Sequence, residues 1–222
     1  MTGAPARFRD LTLGAFVDEL ASAQPVPGGG SASAVAASLA AGLVAMVAAL
    51  SAGRPKYADY AQTHARAAAA GAALKDRLLD LADQDSAAYA DFATALKLPR
   101  ETEAEQATRT VALRAAARTA ANVPLACVEA CRDVVVAAES LAGRSNLNAS
   151  SDLAVACLLA GAAAHGAGAN VLVNLPMVGD EAYAREMHAR VASLLGEIDR
   201  LSSATREIVA RGDLRPAVTG GA

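Results

Sequence analysis

No tryptophan occurs in the 222 residues, and no Lys/Arg cluster flanks the longest apolar run, so both the aromatic belt and the charge bias that anchor a transmembrane helix are missing. The three cysteines, Cys127, Cys131 and Cys157, are odd in number and lack zinc-type spacing. They offer neither a disulfide framework nor a metal-ligand set, and they fit a reducing compartment. Charge is scarce, at 19% of residues with a net of -3. No basic block could follow a phosphate backbone, which argues against nucleic acid as a partner. The opening residues MTGAPARFRDL lack the apolar core of a signal peptide, so the expected location is cytoplasmic. No stretch alternates with period two, which removes sheets from the expectation.

What remains is apolar and helix-forming. With 54% hydrophobic residues and no linker-like stretch, residues 1–222 read as one domain. The organising stretch is PVPGGGSASAVAASLAAGLVAMVAALS, from Pro25 to Ser51. Between Ser31 and Leu50 nothing is charged, so a helix here is apolar or small on every face and belongs where neighbours surround it. That length also matches a membrane span. The dominance of Ala, Ser and Gly suits close approach by other helices instead, and the expectation is a buried central helix with no membrane. Gly28, Gly29 and Gly30, bracketed by Pro25 and Pro27, form a turn whose inward N–H groups at a helix start favour an anion, with Ser31 a candidate cap. The turn is not a P-loop, since no Lys follows and no strand precedes it.

Thr12 is placed to cap a first helix with Leu13, Phe16, Val17 and Leu20 on one face. After the central helix, Pro55 suits the first turn of a long third helix whose stripe is Leu74, Leu78, Leu81, Asp85, Ala88 and Phe92. That helix gives way at Lys97, Leu98 and Pro99. Thr102 and Glu105 form a capping box for a fourth helix reaching about Ala121, its Arg109, Arg114 and Arg118 facing solvent. Pro124 then opens a fifth, carrying Cys127 and Cys131 as core thiols. A polar loop, GRSNLNASS, precedes a second nearly charge-free helix from Asp152 to about Leu175, and Asp180 caps a last one ending at Gly212. The tail from Leu214 is expected to fray. The fold class is therefore all-α: a multi-helix bundle with an apolar central helix surrounded by amphipathic ones.

Asp85 is the informative irregularity. A carboxylate on a core-facing stripe is costly unless paired, protonated or facing a cavity. It is either a structural group, paired to an Arg or capping a neighbouring helix, or a functional one. Asp83, two residues earlier, points to another face. Asn170 and Asn174 lie one turn apart, and buried amides need partners in the protein or a ligand. Asn146, Asn148 and Asp152 are equally readable as ordinary loop and capping residues. His165, among Gly and Ala, reads as a packed or interface residue.

Taken together, PVPGGGSASA at 25–34, Met46 with Val47 and Leu50, DQDSAAYADF at 83–92, KLPR at 97–100, and NLNASSDLAVA with GANVLVNL between 146 and 175 resemble one family. It is the cyclodeaminase domain of formimidoyltransferase-cyclodeaminase, with its free-standing bacterial relatives, the methenyltetrahydrofolate cyclohydrolases. Arg100 stands where the family pattern has Lys. The resemblance implies a homodimer acting on a folate-bound one-carbon unit without metal or redox cofactor. It implies hydrolysis of 5,10-methenyltetrahydrofolate to 10-formyltetrahydrofolate, or ring closure of the formimino compound with release of ammonia. Both pass through a tetrahedral carbon bonded to nitrogens, and one acid-base group could serve either. On this reading Asp85 is the general base or acid. Gly28, Gly29, Gly30 and Ser31 hold the pterin or a carboxylate of the glutamate tail, and Lys97 or Arg100 pairs with that tail. Asn146, Asn148, Asp152, Asn170 and Asn174 meet the pterin edge, with Lys56 a further candidate. A non-catalytic folate-binding module is the reading from another class, and a small membrane protein the third.

Overall fold

The computed structural model describes residues 7–217. Among them there is no strand. Six α-helices, α1 (Leu13–Leu20), α2 (Gly29–Ser51), α3 (Ala61–Leu96), α4 (Glu103–Leu141), α5 (Ser150–Val178) and α6 (Glu181–Arg211), are joined by short connections, with 3-10 turns before α1, between α2 and α3 and between α4 and α5. α2 packs against α3, α4 and α5, α4 lies along α5, and α6 closes the α4/α5 side. The principal core is alanine-rich, with Val44, Val47, Leu78, Val128, Leu141 and Leu153 filling the space between the small side chains. Small residues let the axes approach: a Cβ on Gly71 of α3 would lie 2.8 Å from the Ala41 carbonyl of α2.

Several helix ends form as their sequence signals indicate. Thr12 accepts from Ala15 N–H, Thr102 and Glu105 complete a reciprocal capping box, and Asp180 accepts from Tyr183 N–H. Gly212 ends α6 in the left-handed conformation. Cys127, Cys131 and Cys157 are buried free thiols.

Five expectations are corrected. Pro124 does not open a separate helix but lies inside α4, which runs unbroken through it; burial of both flanking segments in the core outweighs the one backbone hydrogen bond that proline removes. Pro55 begins a 3-10 turn, Pro55–Tyr60, and the α-helical course starts only at Ala61. Ser31 is not the cap of α2: Gly28 is the N-cap, without a side-chain bond, and Ser31 sits within the first turn. On α1 only Phe16 is buried, while Leu13, Val17 and Leu20 face outward. The tail does not fray at once, because Arg215 N–H donates to the Gly143 carbonyl, Tyr60 OH donates to the Arg215 carbonyl, and the Arg215 guanidinium pairs with Glu139 at 2.8 Å. Residues 218–222, the end of that tail, lie outside the described residues.

The central helix is also less enclosed than its composition indicates. Leu39, Met46 and Leu50 of α2 and Val155 and Leu158 of α5 are exposed, and these antiparallel neighbours share one uncovered apolar face. By length and composition both helices could cross a membrane, yet about half of each apolar window is buried inside the bundle.

Candidate functional site

α2 begins where the glycine turn ends, and the turn is held by a cis peptide between Val26 and buried Pro27. The first N–H groups of α2 have no partner within the helix. Asp85 reaches this end from α3. The Ser31 hydroxyl donates to Asp85 Oδ2 at 2.9 Å. Asp85 therefore binds the first turn of a neighbouring helix, close to the structural role left open by its position on the stripe. The same carboxylate lines a pocket of about 310 Å³.

That pocket gathers Gly28, Gly29, Gly30, Asp85, Asn170 and Asn174. Gly30 has to be glycine for the carboxylate to be there, since a Cβ would lie 2.5 Å from Asp85 Cγ. Burial is the largest influence on Asp85 and raises its pKa above the usual carboxylate value; the Ser31 hydroxyl and N–H pull the other way, and no cation contributes. The site thus holds a carboxylate with no countercharge among the described residues.

The two asparagines are oriented by backbone carbonyls. Asn170 Nδ2 donates to the Gly166 carbonyl at 2.9 Å, and Asn174 Nδ2 donates to the carbonyls of Asn170 at 2.8 Å and Ala120 at 3.0 Å. The Ala120 carbonyl is available because the residue one turn on is Pro124, which has no N–H to offer it. With both amide nitrogens committed to backbone, each Oδ1 is left as an acceptor without a partner among the described residues.

Tyr89 and Phe92 of α3 and Val173 of α5 form the apolar wall. The reading from sequence passed over Tyr89. The signal was present, since Tyr89 and Phe92 stand four and seven residues after Asp85 and so share its helix face. Asp83 does point elsewhere: it accepts from Phe8 N–H at 2.8 Å and from Arg7 Nε at 3.1 Å, tying down the N-terminal 3-10 turn.

The remaining candidates are not brought to this pocket. Asn146 is buried at the other end of α2, where its N–H donates to Ser51 Oγ at 2.8 Å and its side chain accepts from Asn148 N–H. Asn148 lies there in the 3-10 turn Leu147–Ala149, Asp152 in the first turn of α5, and Lys56 lies over the Tyr57 ring, 5.5 Å from its centroid. The 23 residues of α2 put roughly 35 Å between the two groups. Lys97 and Arg100 are exposed beyond the end of α3 and do not line the pocket. His165 is exposed and meets Asp199 at 3.0 Å. Among the described residues no group of three or more His, Cys, Asp or Glu is placed to hold a metal ion.

A family model described as Formiminotransferase-cyclodeaminase matches residues 12–193. A methenyltetrahydrofolate cyclohydrolase from Methylorubrum extorquens is 36% identical over 198 residues, covering 89% of this chain and 95% of that protein. The formimidoyltransferase-cyclodeaminase of Rattus norvegicus is 35% identical over 88% of this chain, which spans 36% of that longer protein. The crystal structure of formiminotetrahydrofolate cyclodeaminase from Thermotoga maritima superposes with a TM-score of 0.83 at 28% identity, covering 91% of this chain and 98% of that one.

Proposed function

The chain belongs to the formiminotransferase-cyclodeaminase family, and from that premise we propose that it hydrolyses 5,10-methenyltetrahydrofolate to 10-formyltetrahydrofolate, with Asp85 as the acid-base group. The observation that carries this reading is a carboxylate without a countercharge, half-withdrawn from water, in a pocket lined by amide acceptors and aromatic rings. The methenyl bridge is cationic and would serve as the missing partner, so the carboxylate favours the substrate's charge at the carbon that reacts.

Asp85 takes a proton as water oxygen bonds to the bridging carbon. The tetrahedral intermediate then loses its hydroxyl proton, N5 gains one, and the bond from carbon to N5 breaks to leave a formyl group on N10. One proton is released overall. The reaction is a hydration without change of oxidation state, so the reading calls for no redox cofactor, and with Asp85 as the base for the attacking water it assigns no step to a metal. The free Oδ1 atoms of Asn170 and Asn174 suit the N–H donors of the pterin edge, and Tyr89 and Phe92 offer faces to a flat ring. The glycine-turn N–H groups suit the ring or a tail carboxylate, whereas Ser31, expected there too, is fully buried outside the pocket lining and bears on Asp85 instead; Lys97 and Arg100, past the end of the wall helix, take the glutamate tail. The free thiols support a cytoplasmic location.

Similarity to the cyclodeaminases supports a second activity, closure of the formimino compound with loss of ammonia. Purified protein offered methenyl- and formimino-tetrahydrofolate side by side should consume the first, and Asp85→Asn should abolish that consumption while far-ultraviolet helicity is kept. Consumption of only the formimino compound would replace the hydrolase reading, and an active Asp85→Asn enzyme would end the role of Asp85.

The uncovered α2/α5 face supports a homodimer. Two helices about 35 Å long and about 10 Å wide present roughly 700 Å² per copy, the size of a standard stable interface. Gly42 and Gly161, where an added Cβ would meet nothing, give that face a shallow centre for close helix approach. A two-fold axis perpendicular to α2 sets the Ser51 end of one copy beside the Gly29 end of the other. This arrangement brings Lys56, Asn146, Asn148 and Asp152 of one subunit towards Asp85 of its mate.

A further inference from the structure

The hydroxyls behind Asp85 lead away from the ligand pocket. Ser31 is completely buried, and its Oγ lies 2.9 Å from Asp85 Oδ2 on one side and 3.2 Å from Ser86 Oγ on the other. Ser86, the next residue on α3, lines a different cavity of about 530 Å³, where Phe8, Val26, Pro27 and Ala90 form apolar walls and Glu19 and Gln84 are exposed. Val26 lines both cavities and buried Pro27 lines the rear one. The turn before α2 therefore separates the two cavities, and Ser31 links the Asp85 carboxylate on one side to the Ser86 hydroxyl on the other.

Hydrolysis of a cationic methenyl compound leaves one proton over, while the product still fills the front pocket. We propose that Ser31 and Ser86 form a two-hydroxyl relay that passes this proton from Asp85 to water in the rear cavity. The proposal rests on the reading of Asp85 as the base. The Asp85 O–H gives its proton to Ser31 Oγ, the Ser31 proton passes to Ser86 Oγ, and the Ser86 proton passes to a water molecule. Three O–H bonds break and three form, one proton leaves, and the carboxylate is restored. The Ala82 carbonyl, 3.1 Å from Ser31 Oγ, is an alternative acceptor that holds the Ser31 hydroxyl when it is not donating along the chain. Ser86 acts through Asp85 and is a positioning and relay residue, not one that touches substrate.

The test is Ser86→Ala. Losing the outer hydroxyl should lower kcat about tenfold with KM unchanged, and added imidazole should restore the rate in a concentration-dependent way by reaching Ser31 through the rear cavity. Ser86→Thr keeps a hydroxyl and should stay near wild type. Should Ser86→Ala fold poorly, Ala90→Leu narrows the rear cavity without touching either hydroxyl and should give a similar loss of kcat at unchanged KM that imidazole, denied the cavity, does not restore; a wild-type kcat in Ala90→Leu counts against the relay. A wild-type kcat in Ser86→Ala, or a deficit there that imidazole leaves unchanged, overturns the relay. If Asp85→Asn is inactive in the same series, that failure belongs to the relay alone; if Asp85→Asn is active, the underlying reading fails with it.

Discussion

The space that a side chain on Gly30 would occupy is taken by the carboxylate of Asp85, whose Cγ and Oδ2 lie 2.5 and 2.6 Å from an ideal Cβ. One helix start and one acid are thus fitted to each other, and the neighbouring glycine is not under the same constraint. At Gly29 an added Cβ would meet only Asn170 Nδ2, at 3.7 Å. Gly30→Ala should displace the carboxylate and reduce kcat by about 10²-fold, the usual cost of moving a catalytic group by about 1 Å. Gly29→Ala should keep most of the activity. Steady-state kinetics on the pair, with helicity monitored, checks the distinction.

Burial raises the pKa of Asp85, and the sign of two pH dependences follows. As a base, Asp85 must be ionised, so kcat/KM should rise with pH through a limb lying above the ordinary carboxylate range, and Asp85→Asn should lack that limb. For stability, the folded state binds the proton more tightly than the unfolded one. The contribution is complete below the unfolded pKa and is lost as pH rises through the raised folded value. Asp85→Asn should therefore melt above wild type at neutral pH, with the difference closing as pH falls below about 4, the unfolded aspartate value. Thermal melts of both proteins across that range measure it.

Asn174 owes its orientation to a proline on another helix. Pro124 cannot donate to the Ala120 carbonyl, and Asn174 Nδ2 takes that acceptor at 3.0 Å, turning its own Oδ1 free. Asn174→Leu removes the acceptor offered to a ligand at similar volume. The expected result is a KM about tenfold higher, the value of one neutral hydrogen bond of about 1.4 kcal/mol, with kcat within about twofold.

The uncovered face of α2 and α5 makes a prediction about assembly. Leu39 and Leu158 are 57% and 55% exposed in the single chain. Leu39→Glu should shift the species seen by sedimentation from dimer to monomer without loss of helicity, because the substitution faces outward. Mixed dimers of Asp85→Asn and Asn148→Ala subunits should recover up to about a quarter of wild-type activity if each site draws on both chains. Lack of recovery would confine the site to one subunit.

How much of this was legible beforehand depends on the range over which each feature is decided. Caps at Thr12, Thr102 and Asp180, the stop at Gly212 and the stripe through Leu74, Leu78 and Leu81 are set within a turn or two of the chain, so local pattern was enough for them. Asp85 stood out for the same reason, as a charge where the helical period places apolar residues. Pro124 misled because proline's cost is local, whereas the burial that overcomes it is not. Composition likewise showed that α2 and α5 are apolar all round but not which of their faces the bundle leaves open. Only the packing of α3 on α2 put Asp85 against Gly30 and Ser31, and only the length of α2 separated Asn170 and Asn174 from Asn146 and Asn148, since distances between helices are fixed by side chains remote in sequence that pack together.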